Sequence, residues 1–288
     1  MSSLTAYITL ARPHHYIKNG FVVVPLFFAH ELMNPLLLTT VMLGIGAFCL
    51  ASSAVYVLND IADVEKDRAH SVKQHRPLAA GTVSRKGAVA FLAPLLFCSG
   101  MLGVLWTNTA FFLLLCTYVV LNVAYSLVLQ RIIMADVLCV AAGFVIRVFA
   151  GAVLIDVRVS GWLLTMTLLL ALFITFAKRR CDLALMAPGN DAQGAIYNRQ
   201  VLSRLLVGLA VVTSLCYVAY TLWPAVIREH QAPRLYISAI WVVLGMGRYM
   251  AVVFRSQQDC SPVRTVLRDT YLQACVVLWV VTMGILIY

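Results

Sequence analysis

The chain has 288 residues, of which 62% are hydrophobic and only 12% charged. A typical soluble domain carries roughly 25% charged residues, so this composition excludes an ordinary globular protein. The formal net charge of +10 gathers in a few polar segments between apolar runs, which argues against nucleic acid and for a membrane face that meets anionic lipids or phosphorylated substrates.

Apolar runs long enough to cross a bilayer recur along the whole length. In chain order they predict about nine helices, over about 16–30, 36–58, 87–106, 111–129, 135–154, 161–178, 203–223, 235–253 and 270–288. Pro25 interrupts the first run and Glu31 closes it, so it is the weakest span. Arg12, His14, His15 and Lys18 break up the N-terminus before any apolar core of signal-peptide type, and no cleavable signal is expected. The fold class read from this pattern is all-α: a polytopic membrane helical bundle forming one domain over 1–288.

Basic residues orient the bundle. With the N-terminus in the cytoplasm, most of the 22 Lys and Arg fall on the cytoplasmic side. Only Arg158, Arg228 and Arg234 then lie outside, while Arg147 and Arg248 sit within helices. That asymmetry places the C-terminus outside a bacterial-type inner (plasma) membrane. The long polar segments 59–86, 178–202 and 254–269 share the cytoplasmic face, where a binding or reaction site is expected to open. Cys49, Cys98, Cys116, Cys139, Cys216 and Cys275 fall inside apolar runs without a C-x-x-C pair, and the six histidines lack zinc-type spacing. A zinc site is not expected.

The most informative stretch is Asn59-Asp60-Ile61-Ala62-Asp63-Val64-Glu65-Lys66-Asp67, at the end of the apolar run 35–58. On a straight helix Asn59, Asp60, Asp63 and Asp67 share an arc of about 100°. Clustered oxygens of this kind suit a hard divalent cation, which often takes one or two carboxylates plus substrate phosphates. Acidic groups beside a membrane core are costly and point to function; a solvated acidic helix end is the bland alternative. Lys73 and Arg76 follow, and both suit a diphosphate: lysine as a compact charge, arginine as a two-pronged donor. They serve equally as topology signals.

Three further basic sites stand out. Arg12-Pro13-x-x-x-x-Lys18-Asn19 precedes the first run, where an interfacial anchor and a ligand site are equally compatible with the pattern. Lys178-Arg179-Arg180 closes the sixth run, where cations also complement the negative helix end. Arg147 lies deep in an apolar segment and should face the bundle interior with a partner. Asp136 is three turns earlier and too far away, so a bound phosphate or carboxylate is expected, with a structural ion pair as the alternative.

The N-D-x-x-D-x-x-x-D pattern at 59–67, Lys73-Gln74-His75-Arg76-Pro77 and the helix pattern together resemble the UbiA superfamily of intramembrane prenyltransferases. The resemblance spans essentially the whole chain. It implies a helical bundle around a central cavity open to the cytosol, with Mg²⁺ held by Asp-rich motifs against a diphosphate. Typical members carry a second carboxylate cluster after the sixth helix. This chain has Lys178-Arg179-Arg180-Cys181-Asp182 there, and Asp182 and Asp191 lack metal-ligand spacing. One subgroup, the decaprenyl-phosphate phosphoribosyltransferases, is similar in Arg12-Pro13 with Lys18-Asn19, in His75-Arg76-Pro77, in Tyr125-Ser126, in Asp136 with Arg147, and in Lys178-Arg179.

That resemblance implies transfer of 5-phosphoribosyl from phosphoribosyl diphosphate to a polyprenyl phosphate lipid, for synthesis of cell-envelope polysaccharide precursors. Asn59, Asp60, Asp63 and Asp67 would hold Mg²⁺, with Mn²⁺ as a substitute, and Asn59, Asp63 and Asp67 would be the catalytic core. Lys18, Asn19, Lys73, Arg76, Tyr125, Arg147, Lys178, Arg179 and Arg180 would bind substrate. A conventional prenyltransferase moving a prenyl group to an aromatic or lipid acceptor is the alternative. A transporter is less compatible, because no internal repeat is evident.

Overall fold

The computed structural model describes residues 3–69, 73–129, 132, 134–185, 199–255 and 262–288, and every regular element among them is a helix. Asp191, Tyr197 and Asn198 of the segment 178–202 lie outside the described residues, as do 70–72 and 256–261 of the other two polar segments. Eight helices are long and apolar enough to cross a membrane, by length and composition, and the chain is a multi-pass membrane protein. It divides into two compact units, Met1–Val159 and Ser160–Tyr288.

The first unit begins with α1 (Ser3–Ala11), followed by a 3₁₀ helix over Pro13–Val22 and a short α2 (Val24–Phe28). The expected helix at about 16–30 is therefore not one long α-helix. Pro13 and Pro25 both remove a backbone donor, and each sits at the first or second position of its own short helix, where that donor has no helical partner. At the usual rises the two pieces cover roughly 27 Å, close to the hydrocarbon thickness of a bilayer. Irregular backbone survives at membrane depth only when protein covers it, and Asn19, Val22 and Leu26 are fully buried.

Next comes α3 (Pro35–Ala62), started by Asn34, whose side-chain oxygen accepts from the Leu36 and Leu37 amides. It ends at Asp63, and α4 (Val64–Arg68) follows after the bend. The helices α5 (Arg85–Leu105), α6 (Thr109–Leu127) and α7 (Ala135–Leu154) complete the unit. Ser84 and Asn108 cap α5 and α6, and Asn108 also donates to the Val153 carbonyl at the end of α7.

Burial separates core helices from lipid-facing ones: 56% of the apolar windows of α3 and α7 is buried, against 22% for α5 and α6. The shared core holds Val41, Phe48, Phe111, Leu115, Tyr118 and Leu154. Exposed Phe97, Leu113 and Val120 would face lipid tails, which cost an apolar side chain nothing.

The second unit contains α8 (Gly161–Leu185), α9 (Arg199–Leu222), α10 (Pro224–His230), α11 (Ala239–Arg255), α12 (Pro262–Arg268) and α13 (Thr270–Ile287). Polar side chains tie these apolar helices together. The Tyr217 hydroxyl accepts from Trp279 Nε1 at 2.6 Å and pairs with Ser238 Oγ at 2.9 Å. Arg248 bonds Asp269, the N-cap of α13, at 2.8 Å. Cys49, Cys98, Cys116, Cys139, Cys216 and Cys275 are free thiols.

Candidate active site

The acidic motif lies across a helix break rather than on one straight helix. Asn59 and Asp60 end α3, Asp63 occupies the bend, and Asp67 sits on α4. The break turns Asp67 back toward Asp60, and both carboxylates are buried, at 3% and 2% exposure. They meet on a single nitrogen: Arg76 Nη1 donates to Asp67 Oδ2 at 2.6 Å and to Asp60 Oδ1 at 3.2 Å. Arg76 follows the short 3₁₀ turn Lys73–His75, and its backbone amide donates to the Lys73 carbonyl. Arg12 Nη2 donates to the same Asp60 oxygen at 2.5 Å.

The remaining motif residues stand apart from this knot. Asp63 is half-buried and accepts from Lys66 Nζ at 3.4 Å. Ser126 Oγ on α6 donates to Asn59 Oδ1 and so fixes that amide against a neighbouring helix. Tyr125, half-buried, precedes Ser126 on the same helix. Among the described residues no three His, Cys, Asp or Glu side chains yet converge as a metal-binding group. Even so, the donors fit a small hard cation, because two buried carboxylates already close on one cationic atom.

The 3₁₀ segment is fastened to α3 by a polar stripe at helical spacing. Asn19 Nδ2 reaches Cys49 Sγ at 3.2 Å and Ser52 Oγ at 3.3 Å. Ser53 Oγ donates to the Ala11 carbonyl at 2.9 Å and pairs with the Tyr16 hydroxyl at 2.7 Å. The Arg12 guanidinium lies 5.1 Å from the Tyr56 ring centre, and Asp60 completes the stripe. Positions 49, 52, 53, 56 and 60 recur every three or four residues, one face of a helix.

Arg147 and Asn19 are bonded to each other in the interior of the first unit. Arg147 Nε donates to Asn19 Oδ1 at 2.8 Å, Nη1 to the Gly143 carbonyl at 2.7 Å, and Nη2 to the Tyr118 hydroxyl at 3.0 Å. Its guanidinium also lies 4.6 Å from the centre of the Tyr118 ring. The cation is thus buried among neutral oxygens and aromatic faces, with each of its three nitrogens donating one hydrogen bond. Both residues hold the 3₁₀ segment on α7. Lys18 is half-buried on that segment and Lys73 is exposed.

Lys178, Arg179 and Arg180 lie within α8, not in a loop. Lys178 is exposed and Arg179 half-buried. Arg180 is buried, and its hydrogen bonds run to neighbouring helices. Its Nε donates to Ser203 Oγ on α9 at 2.9 Å, its Nη1 to the Val253 carbonyl on α11 at 2.8 Å, and it stacks 4.2 Å from the Phe254 ring centre. Arg180→Ala should therefore lower stability by about 2 kcal/mol, by leaving a buried carbonyl without its donor. Thermal melting should register that loss, while KM of the surviving enzyme stays close to wild type.

The UbiA prenyltransferase family model matches residues 20–267. The chain belongs to the UbiA prenyltransferase family. It is a transferase. This UbiA-family chain is 29% identical to the decaprenyl-phosphate phosphoribosyltransferase of Mycolicibacterium smegmatis, over 99% of its own length and 93% of that protein. It is 28% identical to the protein of the same name from Corynebacterium glutamicum, over 98% and 86% of the two lengths. A solved UbiA homolog from Archaeoglobus fulgidus, bound to GPP and Mg²⁺, superposes with a TM-score of 0.69 at 17% identity, covering 97% of this chain and 98% of that one. That likeness establishes the UbiA fold.

Proposed function

We propose that the chain transfers the 5-phosphoribosyl group of phosphoribosyl diphosphate to a polyprenyl phosphate in the membrane, releasing diphosphate, as a step toward cell-envelope polysaccharide precursors. The likeness to decaprenyl-phosphate phosphoribosyltransferases over nearly the full length carries this reading. Lys178 and Arg179 support it, since a prenyl-diphosphate enzyme of the common pattern would place carboxylates there. Asn59, Asp60, Asp63 and Asp67 are the residues that would hold Mg²⁺ or Mn²⁺; Mg²⁺ accompanies the bound diphosphate in the A. fulgidus homolog. When bound, such an ion supplies Lewis-acid stabilisation of the departing diphosphate.

The chain's own residues supply the rest. Arg76 can present two parallel donors to diphosphate oxygens, and exposed Lys73, at the start of the preceding turn, adds a compact charge. Lys18, Lys178 and Arg179 are assigned to the other phosphates, those of the ribose and the lipid, and Tyr125 to substrate binding. Asn19 and Arg147 act by positioning the segment that carries Lys18. In the transfer, the bond between ribose C1 and the diphosphate oxygen breaks, and C1 bonds to an oxygen of the lipid phosphate. Charge develops on C1 in oxocarbenium fashion, as in glycosyl transfer generally. The lipid phosphate is ionised at neutral pH, so no strong general base is required.

The same reading puts the N-terminus in the cytoplasm and the C-terminus outside, with the 3₁₀ segment and α2 together supplying a ninth crossing. The proposal is tested by chelation: EDTA should abolish diphosphate release from phosphoribosyl diphosphate, and Mg²⁺ should restore it only when polyprenyl phosphate is present. Undiminished release in EDTA would overturn the metal assignment.

A further inference from the structure

The buried acid pair is neutralised by two arginines. Asp60 and Asp67 carry two negative charges, and Arg76 and Arg12 bring two positive charges to them. Arg76 alone already bridges both carboxylates. Arg12 is therefore not needed to join them, yet the backbone is strained to deliver it. Arg12 has φ 53° and ψ 53°, the left-handed region, which disfavours a residue with a Cβ and is more awkward still before proline. Observed strain of this kind is a pointer to function.

The segment would be seated without that contact. Ser53 holds the Ala11 carbonyl, Tyr16 holds Ser53, and Asn19 and Val22 are fully buried. The Arg12 side chain remains 19% exposed and rests on the Tyr56 ring, a surface over which a guanidinium can slide. Charge decides what it is for. A divalent cation entering the neutral quartet would leave a surplus of two positive charges in a buried site, which is costly. If Arg12 and Arg76 turned from the carboxylates onto an incoming diphosphate, the surplus would be offset as it formed.

We propose that Arg12 is a placeholder for the divalent cation: it neutralises Asp60 while the site awaits substrate and moves onto the diphosphate when the metal takes its place. The inference rests on the reading of Asp60 and Asp67 as metal ligands. It makes metal and diphosphate enter together, because the metal alone must displace an arginine that has nowhere better to go.

Mn²⁺ binding by the purified full-length protein, followed by electron paramagnetic resonance with and without inorganic diphosphate, tests the idea. Arg12→Gln should tighten Mn²⁺ binding about tenfold without diphosphate and weaken it about tenfold with diphosphate, the scale of one charge-assisted contact. Arg12→Lys keeps the charge but loses the fork, so both changes should keep their signs and shrink; it carries the test if Arg12→Gln melts early. A residue that only supports the fold would shift both affinities the same way, and that result, or no shift in either, would overturn the placeholder role while leaving the metal site standing. Absence of Mn²⁺ binding to folded wild type under both conditions would remove the metal reading and this inference with it.

Discussion

Asp63→Asn is expected to cut turnover by about a thousandfold while leaving the melting temperature where it was. Asp63 sits at the bend between α3 and α4, half-buried, and among the described residues its carboxylate makes a long contact to Lys66. Little of the fold depends on its charge, since an exposed pair of this kind contributes at most about 1 kcal/mol. A ligand to the catalytic metal, by contrast, helps supply several kcal/mol of transition-state stabilisation, and each ~1.4 kcal/mol is a factor of ten in rate. Asp67→Asn should cost as much activity, with about 2 kcal/mol of stability lost as well, because its carboxylate is buried against Arg76. Steady-state kinetics and thermal melting on the same preparations separate the two. An Asp63→Asn enzyme within threefold of wild type would remove Asp63 from the metal site.

The second large effect concerns backbone contact rather than charge. In α7 a Cβ added at Gly151 would lie 2.1 Å from the Val22 carbonyl oxygen and 2.9 Å from its carbon. Backbone cannot swing aside as a side chain can, so Gly151→Ala must push the 3₁₀ segment off α7. Overpacking of this severity costs about 3 kcal/mol. Turnover should fall with it, because that segment carries Lys18 and Asn19 and starts just after Arg12. Gly208→Ala in α9 is the control: its added methyl meets nothing within 4 Å, so it should melt at or slightly above wild type. Equal melting of the two variants would mean that Val22 is not seated on Gly151.

Most of the helices were legible because long apolar runs admit few alternatives in a bilayer, and the chain's own N-caps, such as Asn34 and Asn108, mark where two of them start. The first segment differs from expectation in kind, not in place: Pro25 signals interruption, but the hydropathy pattern alone does not distinguish an α-helix from a 3₁₀ helix of similar extent. The acidic motif is legible from residue spacing, whereas the bend at Asp63 and the contacts from Arg76 and Arg12 on either side of it are not encoded in spacing. The tie from Ser126 to Asn59 was invisible for the same reason, since the two are 67 residues apart.

Arg147 shows where a sound rule stops short. Its position predicts burial and a partner, and the protein partners are an amide, a carbonyl and a phenol. The sequence does carry a signal: Cys49, Ser52, Ser53, Tyr56 and Asp60 form a polar stripe along one face of a largely apolar helix, which is the mark of a polar partner lying along it. Arg180 is the opposite case, a cation in a polar run whose bonds lie between helices. Three consecutive cations look like one site, but successive helical residues point about 100° apart, and only Lys178 faces fully outward.

The central claim is the identity of the group transferred. Membranes containing the full-length protein should be supplied in parallel with Mg²⁺, polyprenyl phosphate and phosphoribosyl diphosphate labelled in the ribose, or with labelled prenyl diphosphate and an aromatic acid. Label from the ribose should pass into the lipid extract, with one diphosphate released for each label transferred, and none should pass when polyprenyl phosphate is withheld or Asp63 is changed to Asn. Transfer of the prenyl label to the aromatic acid, with the ribose label left in water, would contradict the account.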